Sequence, residues 1–391
     1  MLAFLDLSPA GERLVAMATK IGTEVAAVHA GDVDRQGRFP EESLGAIADA
    51  RMLSSFVPTE LGGDGATMID IVAACHVLGQ YCSSTAMVFA MHQIQVACLV
   101  HHGLESETLR EHLRLLAAEQ RLQASATTEV GTGGDVRSSV CAVATDGERY
   151  RLRKNTPVIS YGDYAQDILV TARRHADAPP ADQVIVVVRR SDAELVPTSD
   201  WDALGMRGTC SRGFILTAEG PIGHVLNDPY AEISARTMLP VSHLVWAGLW
   251  SGIATDAVRQ VRAALRQQAR KTAGVPSSAS DVAMLHADLE LVRSAVAATA
   301  QLYERVRMDP AAATTPSMTL RMNALKVSTS LALPRIVTDA LRLGGINAYR
   351  NDSEQSLGRH LRDLHSAALM VHNERILANS GSLLCVTKDD A

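Results

Sequence analysis

Apolar positions in residues 8–118 recur every third and fourth residue, the period of helices that bury one face. "SPAGERLVAMATKIGTEVAAVHA" opens with Ser8 and Pro9, a cap followed by a first-turn proline. "TMIDIVAACHVLGQYC" and "STAMVFAMHQIQVACLVHH" keep the helical spacing after the turn-rich loop "VPTELGGDGA". Near residue 119 the pattern changes. "RYRLRKNTPVIS", "DILVTARR", "QVIVVVRR" and "GFILTA" are short β-branched runs parted by Asp, Gly and Pro, which predicts strands. From about residue 237 the helical period returns in four long segments. The third carries Pro334, which predicts a kink, and ends at Gly344–Gly345. The fourth is "LGRHLRDLHSAALMVHNERILANSGSLL". The expected fold is α+β and mainly α. An N-terminal helical domain spans 1–118, a small β-domain 119–230 and a C-terminal four-helix bundle 231–391. A ligand would sit most naturally where the three meet.

Composition narrows the function. With 47% hydrophobic and 20% charged residues the 391-residue chain can bury large cores, and only 4% aromatics favours close packing of small side chains. The net charge is −6 with no basic block, which argues against nucleic acid. Six scattered cysteines, at 75, 82, 98, 141, 210 and 385, show no metal-type spacing and read as buried thiols of a reducing compartment. The N-terminus lacks a secretory pattern, and no uninterrupted apolar run reaches the ~18 residues of a membrane span. A cytoplasmic protein is expected.

Three stretches carry candidate chemistry. "SATTEVGTGGDV" (125–136) lies at the helix-to-strand boundary; its glycines let backbone N–H groups approach a ligand, and Thr127 and Thr128 add hydroxyls. It is neither a P-loop nor a dinucleotide fingerprint, so a structural turn and a ligand loop both stay open. "ARKTAG" (269–274) puts Arg270 near a helix C-terminus, where a cation is ordinarily a dipole partner in solvent. "RDLHSAALMVHNERIL" (362–377) carries His365, His372 and Glu374. On one helix the two histidines would be about 10 Å apart along the axis, too far for one metal, with Glu374 on the opposite side.

Taken together and in order, these stretches resemble the acyl-CoA dehydrogenase family of flavoproteins over nearly the whole chain. "TTEVGTGGDV" is similar to its Thr-Glu-Pro-Gly-Ala-Gly-Ser-Asp loop, with Val130 for proline. "VISYGDYAQDILVTAR" resembles the Trp-Ile-Thr-Asn-Gly strand, with Val158 for tryptophan. "WDALGMRGTCSRGFIL", "ARKTAG" (Ala273 for phenylalanine), "LRLGGINAYRN" and "RHLRD" match further family segments. The resemblance implies a homo-oligomer, a tetramer or dimer, binding FAD, or FMN in a monooxygenase. Thr127 and Thr128 would then lie near the flavin ring and Ser160 at its edge. Arg270 would reach a neighbouring subunit's pyrophosphate, with Gly344 and Gly345 on its other side.

The resemblance fails at the catalytic base. Family dehydrogenases remove an acyl α-proton with a glutamate, for which a desolvated carboxylate is suited. Aligning Arg362–Asp363 without a gap puts Val371 at that glutamate. The alternative base position, at the start of the first bundle helix, holds Ser242, with His243 beside it. A three-residue gap would bring Glu374 into the glutamate's place. Three readings follow. The first is an acyl-CoA or acyl-carrier-protein dehydrogenase with a relocated base such as Glu374, His372 or His243. It would act with an electron-transfer partner. The second is a monooxygenase fed by a flavin reductase, which needs no such base and to which His92 points. The third is a flavin-binding relative without catalysis.

Overall fold

The computed structural model describes residues 4–272 and 274–387, so Ala273 lies outside the described residues. The N-terminal layer holds α1 (Pro9–Ile21), which runs through a π-turn into α2 (Ala27–Gln36), then α3 (Glu41–Asp49), α4 (Met68–Gly79), α5 (Ser83–His102) and α6 (Glu107–Glu119). Ser8 caps α1 as its sequence predicts: its hydroxyl accepts from the Gly11 amide at 3.0 Å. Asp70 ties that cap to α4. Its carboxylate accepts the Thr67 amide at 2.8 Å in a capping box, the Ser8 amide at 3.0 Å and the Ser8 hydroxyl at 2.7 Å. Every residue of α4 is buried, and α5 nearly so. By length and hydropathy α5 could cross a membrane, contrary to the sequence expectation, yet 94% of its apolar window is buried inside the protein.

Two sheets follow. β1 (Gln123–Ala126) pairs parallel with β4 (Asp167–Arg173), which pairs antiparallel with β5 (Gln183–Arg189). The second sheet is antiparallel, in the order β2 (Ala144–Thr145), β3 (Arg149–Ile159), β7 (Arg212–Pro221), β6 (Ala193–Pro197). Along β3 alternate residues Tyr150, Leu152, Lys154 and Thr156 point inward, the period of a half-buried strand. The four β-branched runs are β3, β4, β5 and β7. The sequence pattern missed β1, β2 and β6, which are short or poor in β-branched residues.

The C-terminal layer begins with α7 (Tyr230–Ile233) and continues with α8 (Leu239–Thr272), α9 (Ala279–Val306), α10 (Pro310–Ala313) and α11 (Pro316–Tyr349). α8 crosses α4 with the backbones in contact: a Cβ on Gly79 would fall 2.4 Å from Leu249 O, and one on Gly252 would fall 2.2 Å from His76 O. α11 stays helical through Pro334 and breaks instead at Gly345 (φ 63, ψ −150). Proline's fixed φ is compatible with a helix, whereas a positive φ is not.

The fourth bundle segment is not one helix. It splits into α12 (Gly358–Leu364), a run of turns over 365–372, and α13 (Asn373–Leu384). Val371 takes a left-handed φ of 46°, and the Ser366 hydroxyl donates to Asp363 O at 2.6 Å inside the last turn of α12. The helical-wheel relation among His365, His372 and Glu374 therefore does not hold.

Asp70→Ala should remove the two hydrogen bonds that join α1 to α4 and the capping-box bond of α4 itself, and lower the unfolding free energy by about 2 kcal/mol. Urea denaturation checks this, and an unchanged midpoint would count against it.

Candidate functional site

Past β1 the chain enters the Thr127–Gly134 loop, which is pinned rather than slack. The buried Glu129 carboxylate accepts the Ser139 hydroxyl at 2.6 Å, the Cys141 amide at 2.7 Å and the Val140 amide at 3.1 Å. Lys154 Nζ lies 3.5 Å from it and donates to Thr171 O at 2.6 Å. Burial lowers the Lys154 ammonium's pKa, and Glu129 opposes that shift. Gly131, Gly133 and Gly134 all have positive φ (99°, 59°, 78°), which a loop this tight requires.

Next to the loop, the β3–β7 ladder skips residues 157 and 158. The Thr128 hydroxyl donates to Val158 O at 3.3 Å, and Thr127 is half-buried beside it. Ser160 Oγ, Ser211 Oγ and Thr209 Oγ1 form a chain of 2.8 Å contacts that ends on Met206 O, also at 2.8 Å. Hydroxyls thus cluster around a stretch of strand released from its ladder.

The 364–374 segment is fastened to this β-domain at both ends. At one end the Met206 amide donates to Asp363 Oδ1 at 2.7 Å. Burial raises the Asp363 carboxyl above its usual range. At the other, the Arg375 guanidinium donates to the carbonyls of Gly133 and Gly134. Between the two anchors, Lys326 on α11 donates to Val371 O at 2.8 Å and to Asn373 Oδ1 at 2.7 Å. That bond holds the left-handed turn immediately before α13, at the point where the ungapped alignment places the glutamate.

The nominated base residues do not gather there. The Glu374 side chain is 84% exposed, and its carboxylate sits 3.6 Å from the His372 ring, itself 58% exposed. α13 starts at Asn373, so Glu374 lies in an outward-facing first turn and does not replace Val371. His92 is buried far from solvent with both ring nitrogens in use: Nε2 at 2.7 Å from Leu53 O, and Nδ1 accepting the Gln123 amide at 2.9 Å. Burial pushes it down to about 4. His243 is buried on α8, and neither ring nitrogen has a side-chain hydrogen-bond partner among the described residues. Burial first, then the Lys326 charge, pushes it down to about 3. Imidazoles this acidic are weak proton acceptors. Ser242 donates to Met238 O at 2.6 Å, a bond inside its own helix. Arg270 is exposed near the end of α8; Gly344 is half-buried and Gly345 exposed at the α11 break. The structure joins Thr128 to the β3 edge and Ser160 to the Asp363 anchor, while Arg270 stands on the outer surface of the bundle.

The acyl-CoA dehydrogenase N-terminal domain pattern matches residues 8–120, and the C-terminal domain pattern matches residues 234–371. The chain belongs to the acyl-CoA dehydrogenase family. Among its relatives, a probable acyl-CoA dehydrogenase, YngJ of Bacillus subtilis, is 25% identical over 86% of this chain and 87% of its own. The amino sugar nitrososynthase DnmZ of Streptomyces peucetius is 27% identical over 93% of this chain and 90% of its own. The fold is shared with KijD3, solved with FMN and dTDP-3-amino-2,3,6-trideoxy-4-keto-3-methyl-D-glucose. There the TM-score is 0.85 at 22% identity, over 99% of this chain and 97% of that one. The family thus includes dehydrogenases and nitrogen-oxidising enzymes on one flavoprotein scaffold.

Sequence reasoning passed over Glu129, Lys326, Asn373 and Arg375. The signal for Lys326 was available: it lies among Met322, Leu325, Thr329 and Leu333, which form the buried face of α11. A lysine on such a face needs internal acceptors. Burial pushes its ammonium down to about 8 from 10.5. Between those values the folded chain binds fewer protons than the unfolded one, so this group adds stability as pH rises from about 8 to 10.5. The stability difference between the parent and Lys326→Met should therefore shift in the parent's favour over that interval. Denaturant titrations at pH 7.5 and 9.5 check this, and parallel pH profiles would contradict it.

Proposed function

We propose that this protein is a reduced-flavin-dependent monooxygenase that oxygenates an amine on a small molecule of the amino-sugar class. The observation that carries the reading is the missing base. Val371 and Ser242 fill the two positions from which family members take an α-proton, and the nearest carboxylate in sequence, Glu374, points into solvent. Acyl-thioester dehydrogenation needs that base; oxygenation does not. The amino sugar nitrososynthase relative, alignable over 93% of this chain, supports the amine class.

The residues present fit a flavin. Hydroxyls of Thr127, Thr128 and Ser160 surround strand backbone freed from its ladder, a donor set suited to the polar edge of a flat ring. Arg270, exposed and without an ion pair among the described residues, suits a phosphate held across a subunit contact, flanked by Gly344 and Gly345. In this reading the assembly is a homo-oligomer, and FAD or FMN could use these contacts. A flavin held by Thr127, Thr128, Ser160 and Arg270 and reduced by a separate reductase would supply the two electrons and two protons with which dioxygen would give the amine one oxygen atom, as a hydroxylamine, and release the other as water. This chain's contribution is to position and dry the site. Asp363 and Arg375 close the 364–374 segment over the β-domain, and Lys326 fixes the turn at Val371. Five cysteines that are buried or half-buried as free thiols fit a reducing, cytoplasmic setting.

Supplied with a flavin reductase, NADH, oxygen and a panel of amino sugars and their nucleotide conjugates, the protein should convert at least one to an N-oxidised product detectable by mass. Glu374→Gln should leave that rate within about twofold, because an exposed carboxylate contributes little. Peroxide as the sole product across the panel, or loss of turnover in Glu374→Gln, would sink the proposal.

A further inference from the structure

On the outer side of the bundle α8 and α9 part to leave a cleft of about 250 Å³, lined by Thr255, Val258, Leu289 and five basic side chains. Arg259, Arg262 and Arg266 come from α8, and His286 and Arg293 from α9. The chain as a whole carries a net charge of −6, so this concentration of positive charge runs against its average. Carboxylates offset only part of it. Asp256 engages Arg259, and Glu290 engages Arg293 at 2.5 Å. Arg262 and Arg266 have no ion pair among the described residues and are exposed. Arg293 Nε is buried with no hydrogen-bond partner among the described residues, and so is His286 Nδ1, which lies 3.9 Å from a Glu290 carboxylate oxygen. A buried N–H without an acceptor is costly unless something fills it.

We infer that this cleft binds a diphosphate group, as carried by a nucleoside diphosphate. Arg262 and Arg266 are four residues apart, so their stems rise about 6 Å along one face of α8, comparable to the span of a diphosphate's outer oxygens. Arg293 approaches from α9, so guanidinium forks converge from two helices, an arrangement that suits a chain of phosphate oxygens better than a single carboxylate. The cavity is below the ~300 Å³ at which small-molecule pockets usually begin, so it takes the phosphates and leaves the nucleoside outside. The apolar walls at Val258 and Leu289 lower the local dielectric and strengthen the contact. The inference is independent of the oxygenation reading, because it rests on binding at a different surface from the hydroxyl corner.

Calorimetric titration with inorganic pyrophosphate at low ionic strength tests it on the full chain. Pyrophosphate should bind at least about tenfold more tightly than orthophosphate, with an affinity that falls as salt is added. The double variant R262Q/R266Q should lose at least about tenfold, while its flavin affinity and its thermal midpoint stay unchanged. R270Q should retain pyrophosphate binding. ADP and FAD competition then identifies the source. Displacement by ADP marks a free nucleotide and supports the site; displacement by FAD alone marks the flavin's own phosphate contact and would overturn the inference. No pyrophosphate binding, equal affinity for orthophosphate, or full binding by R262Q/R266Q would overturn the inference. So would a loss in R270Q as large as in the double variant, since the anion would then occupy the proposed flavin-phosphate contact.

Discussion

The adjacent side chains Arg362 and Asp363 hold three layers of the protein at one point. Arg362 pairs through both terminal nitrogens with Asp34 of the N-terminal helices and also donates to Leu204 O at 2.9 Å. Asp363, fully buried, accepts the Met206 amide of the β-domain from its place in the bundle. The backbones touch as well: a Cβ on Gly205 would lie 2.2 Å from Arg362 O. A buried charge with such partners is expensive to disturb, because removing one partner strands the other. Its consequence is positional. It sets where the chain leaves α12 and therefore where residues 365–373 cross the β-domain.

Everything proposed for the site follows from that crossing. Asp363 fixes one end of the segment and Arg375, bonded to the glycine loop, fixes the other. Lys326 sets the conformation of the turn at Val371. The most deeply buried histidines considered for the chemistry, His92 and His243, are pushed so far down by burial that they stay neutral at any ordinary pH. The exposed pair His372 and Glu374 faces water. Among the described residues, none of the nominated bases lies at that turn with a free proton-accepting group, which is consistent with the proposed oxygenation.

The layered fold was legible because its signals are local. The period of α4 and α5, the Ser8–Pro9 start and the alternation in β3 each report on their own segment. β1, with the sequence Gln-Ala-Ser-Ala, carries no such signal; it is a strand because β4 offers it a parallel partner. The fourth bundle segment misled for the opposite reason. Its residues have a helical period throughout, but the helix ends at Leu364, and a lysine 45 positions away in sequence holds the Val371 carbonyl in the turn that follows. Lys326 could have been flagged on α11, yet its partner could not. The ordered family motifs located the loop at Thr127 and Thr128 and the gap at the base. They could not show that Glu374 faces outward, since that depends on where α13 starts.

In the proposed reading, no described residue takes an acyl α-proton. The most direct measurement is anaerobic mixing of the flavin-loaded protein with a panel of acyl-CoA and acyl-carrier-protein thioesters, followed by the flavin absorbance. No bleaching is expected with any of them, while dithionite should bleach the same sample fully. Stoichiometric bleaching by a single thioester, with release of its α,β-unsaturated product, would contradict the reading.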